Sequence, residues 1–192
     1  MAQTGLMSEL EAVNKVLAVA GDTPVQSLED GYQQAILARK ILERMSRKVQ
    51  SMGWWFNEEE CVELVPNTFG QITLATNCIS AVVNNDDGSI IQRGNRMYNR
   101  EDRTYTFTEN LDVNLILALE WNELPQVARE FITDAACSQY NNDYFGAEEI
   151  KQHLSRNEAS SFIELKKADV DARDINMLNN NRSYNIAFRN RR

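Results

Sequence analysis

The chain has 192 residues, 43% hydrophobic and 25% charged, with a net charge of −8. That length can bury a true core in one large or two small domains, while the acidic balance works against tight binding of nucleic acid as a main task. The longest apolar run, Leu115 to Leu119, is far below the ~20 residues a bilayer crossing needs.

No secretory leader is expected at the start, because the first apolar cluster, Val16 to Ala20, sits inside an amphipathic pattern. Cys61, Cys78 and Cys137 are odd in number and widely separated. That argues against a disulfide framework or a zinc knuckle and points to a reducing compartment such as a bacterial cytoplasm.

Ser8 with Glu11 three residues on makes a capping box. Leu10, Val13, Leu17 and Ala20 follow at helical spacing, and Gly21 with Pro24 close the segment. Ser27 and Asp30 repeat the start signal. From Gln34 the apolar positions Ala35, Ala38, Ile41, Leu42, Met45, Val49 and Met52 form a stripe of more than four turns, with Arg39, Lys40, Glu43, Arg44, Arg47 and Lys48 opposite. Gly53 stands where a terminal glycine belongs.

Beyond Gly53 the period changes from about 3.6 to about 2. Short runs at Val62–Leu64, Ile72–Leu74, Ile79–Val83, Ile90–Ile91, Arg96–Tyr98, Tyr105–Phe107 and Val113–Leu119 predict strands. Turn signals at Asn85–Gly88 and Arg93–Asn95 separate several of them. Helical spacing returns with Pro125, then Val127, Phe131, Ala135 and Tyr140. A last helix is expected from about Ala147, through Ile150, Leu154, Phe162, Leu165 and Ala172, to about Leu178.

These elements predict an α+β fold. A bundle of about four helices (1–53 and 122–178) carries an inserted antiparallel β domain (54–121) and a flexible basic tail (179–192). The tail holds four arginines and no acid.

Chemistry is sparse. His153 is the only histidine, which leaves no second histidine for a metal site or a relay, and a solvated place on its helix is expected. Glu58, Glu59 and Glu60 could suggest a glycosidase acid pair, but consecutive strand residues point to opposite faces. A solvated acidic edge, which also discourages sheet-to-sheet aggregation, fits them better. Arg93, Arg96, Arg100 and Arg103 interleave with Tyr98 and Tyr105. This is the pattern of a weak nucleic-acid groove, and equally of an exposed hairpin of mixed charge. Trp54 and Phe56, at i and i+2, are expected to cap a core together, leaving Trp55 as a candidate interface anchor beside Arg44, Arg47 and Lys48.

Three blocks in order are more specific than any of these motifs: "AVNKVLAVAGDTPVQSLED" (Ala12 to Asp30), "GWWFNEEECVELVP" (Gly53 to Pro66) and "NELPQVAREFITDAACSQYNNDYFGAEE" (Asn122 to Glu149). A weaker one, "IIQRGNRMYNR" (Ile90 to Arg100), lies between the last two. In these blocks the chain resembles the tail tubular protein A adaptors of short-tailed bacteriophages. The resemblance implies a virion structural protein without catalytic activity or cofactor. It implies a ring of about twelve copies at the head–tail junction, assembled in the host cytoplasm. The ring would join the portal protein to the tail nozzle (tail tubular protein B type), and genomic DNA would pass, without tight binding or membrane contact, through a channel for whose lining Glu58, Glu59 and Glu60 are candidates.

The tail departs from the family pattern in its asparagines and arginines. Portal docking is expected to fall on it, through Arg182, Tyr184, Phe188, Arg189, Arg191 and Arg192. A tail-associated polysaccharide-degrading enzyme and a DNA-binding packaging accessory are the rival readings.

Overall fold

The computed structural model describes residues 5–29, 31–144, 146 and 148–179, with side chains to residue 173. The fold is α+β: four α-helices and five strands, in the order α1 (Glu9–Val19), α2 (Gln33–Gln50), β1 (Glu58–Leu64), β2 (Cys78–Val83), β3 (Ile90–Arg93), β4 (Arg96–Asn99), β5 (Leu111–Leu117), a 3-10 turn (Trp121–Glu123), α3 (Gln126–Tyr144) and α4 (Glu148–Asn179). The chain divides into two compact units, one of residues up to Ser46 and from Trp121 onward, the other Arg47–Glu120. The dividing line therefore crosses the last turn of α2, where the change of period at Gly53 had placed it slightly later.

In the first unit α1 opens on the expected capping box. The Ser8 hydroxyl accepts from Glu11 N at 3.2 Å, and the Glu11 carboxylate accepts from Ser8 N at 2.7 Å, so two orphan donors of the first turn are satisfied. These bonds hold the Glu11 carboxyl below its ordinary range. Its far end closes in a Schellman arrangement: Gly21 N donates to Ala18 O, Asp22 N to Leu17 O, and Gly21 takes a φ of 72°, a conformation that costs glycine nothing.

The second start signal is corrected. Ser27 Oγ accepts from Glu29 N in a local turn, and α2 begins six residues later, at Gln33. Serine forms such turns as readily as caps, and the two look alike in sequence.

Helix α3 is the centre of this unit, with α1 and α4 packed against it. It buries Ala128, Phe131, Ile132, Ala135, Ala136, Cys137 and Tyr140, around more of its circumference than one stripe can cover. On α4 only Ser161 and Leu165 are fully buried among the described side chains, and Ile150, expected in the stripe, is 40% exposed.

Arg129 is 3% exposed and has no carboxylate partner among the described residues. Its guanidinium instead donates to three carbonyls: Nε to Leu124 at 2.8 Å, Nη1 to Met7 at 2.7 Å and Nη2 to Asn122 at 2.9 Å. Trp121 Nε1 also reaches Met7 O. A planar fork spreads its five N–H donors widely enough to serve three separated acceptors at once. Burial lowers its pKa from the ordinary value.

The second unit holds a three-stranded antiparallel sheet in the order β1-β5-β2 and the two-stranded hairpin β3–β4. Ile72, Leu74, Ala81, Met97, Val113 and Leu115 form its core. Two expected strands are absent. Ile72–Leu74 and Tyr105–Phe107 run as extended chain held by the single bridges Gln71–Thr106 and Thr73–Arg96. They bury Ile72 and Leu74 as a strand would, but lack a partner of matching length.

Replacing Arg129 by Met leaves the Leu124 and Asn122 carbonyls without this donor, Met7 O keeping that of Trp121 Nε1, and each buried orphan costs about 1–3 kcal/mol. The variant should therefore lose roughly 2–5 kcal/mol of unfolding free energy, read from the urea midpoint. An unchanged midpoint would remove Arg129 from this role. Arg129→Lys, with one ammonium for three acceptors, should rescue little.

Candidate interaction surfaces

The aromatic run after α2 is a corner, and its polar member does the joining. Asn57 is 2% exposed. Its Oδ1 accepts from Trp54 N at 2.9 Å, and its Nδ2 donates to Gln50 O at 2.9 Å and to Leu117 O at 2.7 Å. Gln50, 1% exposed, bonds both ways to Leu119: Oε1 accepts from its N–H at 2.6 Å and Nε2 donates to its carbonyl at 3.1 Å. Trp54 Nε1 donates to Val49 O. The Val49 and Gln50 carbonyls at the end of α2, which keep only tightened i+3 bonds from Met52 N and Gly53 N, thus gain side-chain donors, and Asn57 ties the helix end to the end of β5. Gly53 sits between at φ 73°, where a Cβ would meet the Ile116 side chain at 3.0 Å.

The expected pairing of Trp54 with Phe56 does not hold. Residues 54–57 form a turn, with Asn57 N and Glu58 N both donating to Trp54 O, so the i, i+2 rule for extended chain does not apply. Trp54 alone is buried. Phe56 instead meets Trp55 edge-on, with ring centroids 4.9 Å apart and planes at 86°, and both are half-buried.

On α2, Arg44 is 52% exposed at its side chain and pairs with Asp143 at 3.0 Å. Arg47 and Lys48 are exposed and make no ion pair among the described residues. Met52, counted in the buried stripe, lies beyond the helix and is 56% exposed.

The acidic run lies on β1, at the edge of its sheet. A bulge falls between Glu59 and Val62, and Cys61 has a φ of 56°. The extra residue breaks the alternation expected for consecutive strand positions. Glu59 and Glu60 are consequently both exposed, and Glu58 is half-buried.

The hairpin β3–β4 carries the arginines. The Arg93 guanidinium lies 3.8 Å over the Tyr98 ring and that of Arg96 lies 4.4 Å over Tyr105, while the two tyrosine rings meet at 4.8 Å with their planes tilted 60°. One face of each ring is therefore covered by a guanidinium. A nucleic-acid groove of this type needs open aromatic faces for bases, and here a guanidinium occupies one face of each ring.

Some features gave no sequence signal. Phe69 is 80% exposed on a loop pinned by Asn67, whose Oδ1 accepts from Phe69 N and Gln71 N. Ile163 and Val170, seven residues apart on α4, are 66% and 55% exposed. An apolar residue on a helix reads as core until its neighbours are known. His153 is exposed and lies 3.2 Å from Asn157 Nδ2. The docking candidates Arg182, Tyr184, Phe188, Arg189, Arg191 and Arg192 lie outside the described residues. No group of three or more His, Cys, Asp or Glu that could hold a metal occurs among the described residues.

The exposed pieces are faces: an acidic edge, a stacked arginine hairpin, a basic helix turn and single apolar knobs. Residues 10–175 match the tail tubular protein family. The chain belongs to that family. It is a phage tail structural protein, hence a virion component. Over 141 residues it is 28% identical to the tail tubular protein A of Klebsiella phage KP34, covering 73% of this chain and 75% of that protein.

Two checks follow from this geometry. Asn57→Ala removes one acceptor and two donors at the corner, and should cost roughly 2–4 kcal/mol while red-shifting Trp54 fluorescence; a wild-type midpoint would contradict the clamp. The thiols should separate by burial. Cys61 is exposed, whereas burial pushes the Cys137 thiol up to about 12. Alkylation at pH 8 followed by peptide mapping should label Cys61 first and Cys137 only on unfolding. Equal labelling would contradict that placement.

Proposed function

We propose that this tail tubular protein is the head–tail adaptor of a short-tailed phage. Its copies, twelve in the complete particle, close into a ring between the portal and the nozzle, and the genome leaves through the channel. Membership of the family over residues 10–175 carries this reading, and the relative named tail tubular protein A supports it. A closed ring requires that one patch on each copy meet a different patch on the next. The exposed faces of this chain are of unlike kinds, as such contacts need. Arg47, Lys48 and the Trp55–Phe56 pair are candidates for contact with the nozzle or a neighbour.

The net charge of −8 suits a passage through which DNA slides, because an acidic wall repels phosphate instead of holding it. The chain works as a structural part without catalysis. Residues 179–192, with their four arginines, are assigned to docking on carboxylates of the portal.

Native mass spectrometry of the full chain, alone and after mixing with the portal of the same phage, tests the proposal. A ring of about twelve copies on the portal is the expected product, lost when residues 179–192 are deleted although the fold persists. No association at any salt concentration would overturn the adaptor role. Retained docking of the truncated chain would overturn the role given to its arginines.

A further inference from the structure

We infer that the arginine face of the β3–β4 hairpin docks on the acidic β1 strand of a second copy of this chain, and that this contact closes the ring. The inference rests on the adaptor reading and adds to it the pair of surfaces used.

The first observation is positional. Strand β1 pairs only with β5, β5 also pairs with β2, and β2 is followed by the hairpin, whose Gln92 side chain accepts from Ala81 N at 2.8 Å. Two strands therefore stand between β1 and the hairpin. Strand β1 carries Glu59, Glu60 and Glu63, all exposed, while the hairpin and the turn after it carry Arg93, Arg96, Arg100 and Arg103, with the 71–74 segment bridged to β4 at Thr73–Arg96.

The second observation is chemical. None of these four arginines has a carboxylate partner among the described residues, in a protein with an excess of eight acids. Arg93 and Arg96 are nevertheless held in place, because their guanidiniums lie over the Tyr98 and Tyr105 rings. Stacking uses the face of a guanidinium and leaves its N–H edge free for a carboxylate. Of the two, only Arg96 spends a donor among the described residues, on Gln71 Oε1 at 3.4 Å. Side chains already ordered lose less entropy on docking than free ones.

The partner must therefore be anionic and must not need the aromatic faces. Bases of a single strand do need them, and duplex DNA is repelled by the acidic body. A carboxylate-rich protein strand satisfies both conditions, and every copy of this chain presents one. Two unlike, complementary patches on one molecule give a contact that propagates from copy to copy and ends when a ring closes.

Charge reversal on each patch tests this in the full chain. The variants are Arg93→Glu with Arg96→Glu, and Glu59→Arg with Glu60→Arg, each checked for wild-type circular dichroism and mixed with portal alongside wild type. Each variant alone should need a protein concentration higher by on the order of a hundredfold to form rings. An equimolar mixture should form them again, since each reversed patch then meets its opposite. Arg93→Gln with Arg96→Gln serves if a reversed variant fails to fold, and should assemble less well than wild type, with less dependence on salt.

Wild-type assembly of both reversed variants would overturn the contact and leave the adaptor role standing. Loss of assembly without rescue in the mixture would also overturn it. No ring from wild type would overturn the adaptor role and this contact together. Wild-type assembly by the hairpin variant, with loss of retention on duplex DNA, would assign the arginines to DNA instead.

Discussion

A helix that ends inside a protein leaves its last carbonyls without partners, and α2 must end where the chain changes from helix to sheet. The rest of the β unit depends on how that is solved. Two buried amides, Gln50 and Asn57, bond to the backbone at both sides of the junction and reach Leu117 and Leu119 after β5 has crossed the sheet. A side-chain amide offers a donor and an acceptor in one rigid plane, so each can replace a missing ladder pair. The tryptophan beside them adds a buried ring whose N–H takes the Val49 carbonyl. The aromatic cluster after Gly53 is thus explained by polar accounting as much as by hydrophobic burial.

Arg129 solves a related problem in the helical unit. The turn before α3 and the segment before α1 present carbonyls inside the protein, and one guanidinium collects three of them. A buried cation without a carboxylate is costly, and three short bonds to carbonyl dipoles offset that cost. Both devices spend polar side chains on architecture, which leaves the chemistry of the surface to other residues.

Much of the fold was legible because its signals are local. The Ser8–Glu11 box, the glycine after Ala20, the α2 stripe and the Gly94–Asn95 hairpin each involve residues a few positions apart, and each is present. Failures arose where distant partners decide. Ile72 and Leu74 look like a strand, yet no neighbour runs alongside for more than one bridge. Trp54 and Phe56 would share a side in extended chain, but Asn57 bends the segment into a turn. The bulge that exposes both Glu59 and Glu60 is set by Asn114, whose Oδ1 accepts from Cys61 N 53 residues away. The arginine–tyrosine pattern was visible in sequence. That guanidiniums would cover the rings was not, because it depends on the register of β3 against β4 and on where the chain returns after Arg100.

The central claim is that this tail protein acts through surfaces of unlike kind that join copy to copy. A cryo-electron microscopy reconstruction of the head–tail junction in virions carrying this chain tests it most directly. The account predicts a closed ring between portal and nozzle in which each copy presents one face to its left-hand neighbour and a different face to its right. Copies paired through the same face, or density for this chain away from the junction, would contradict it.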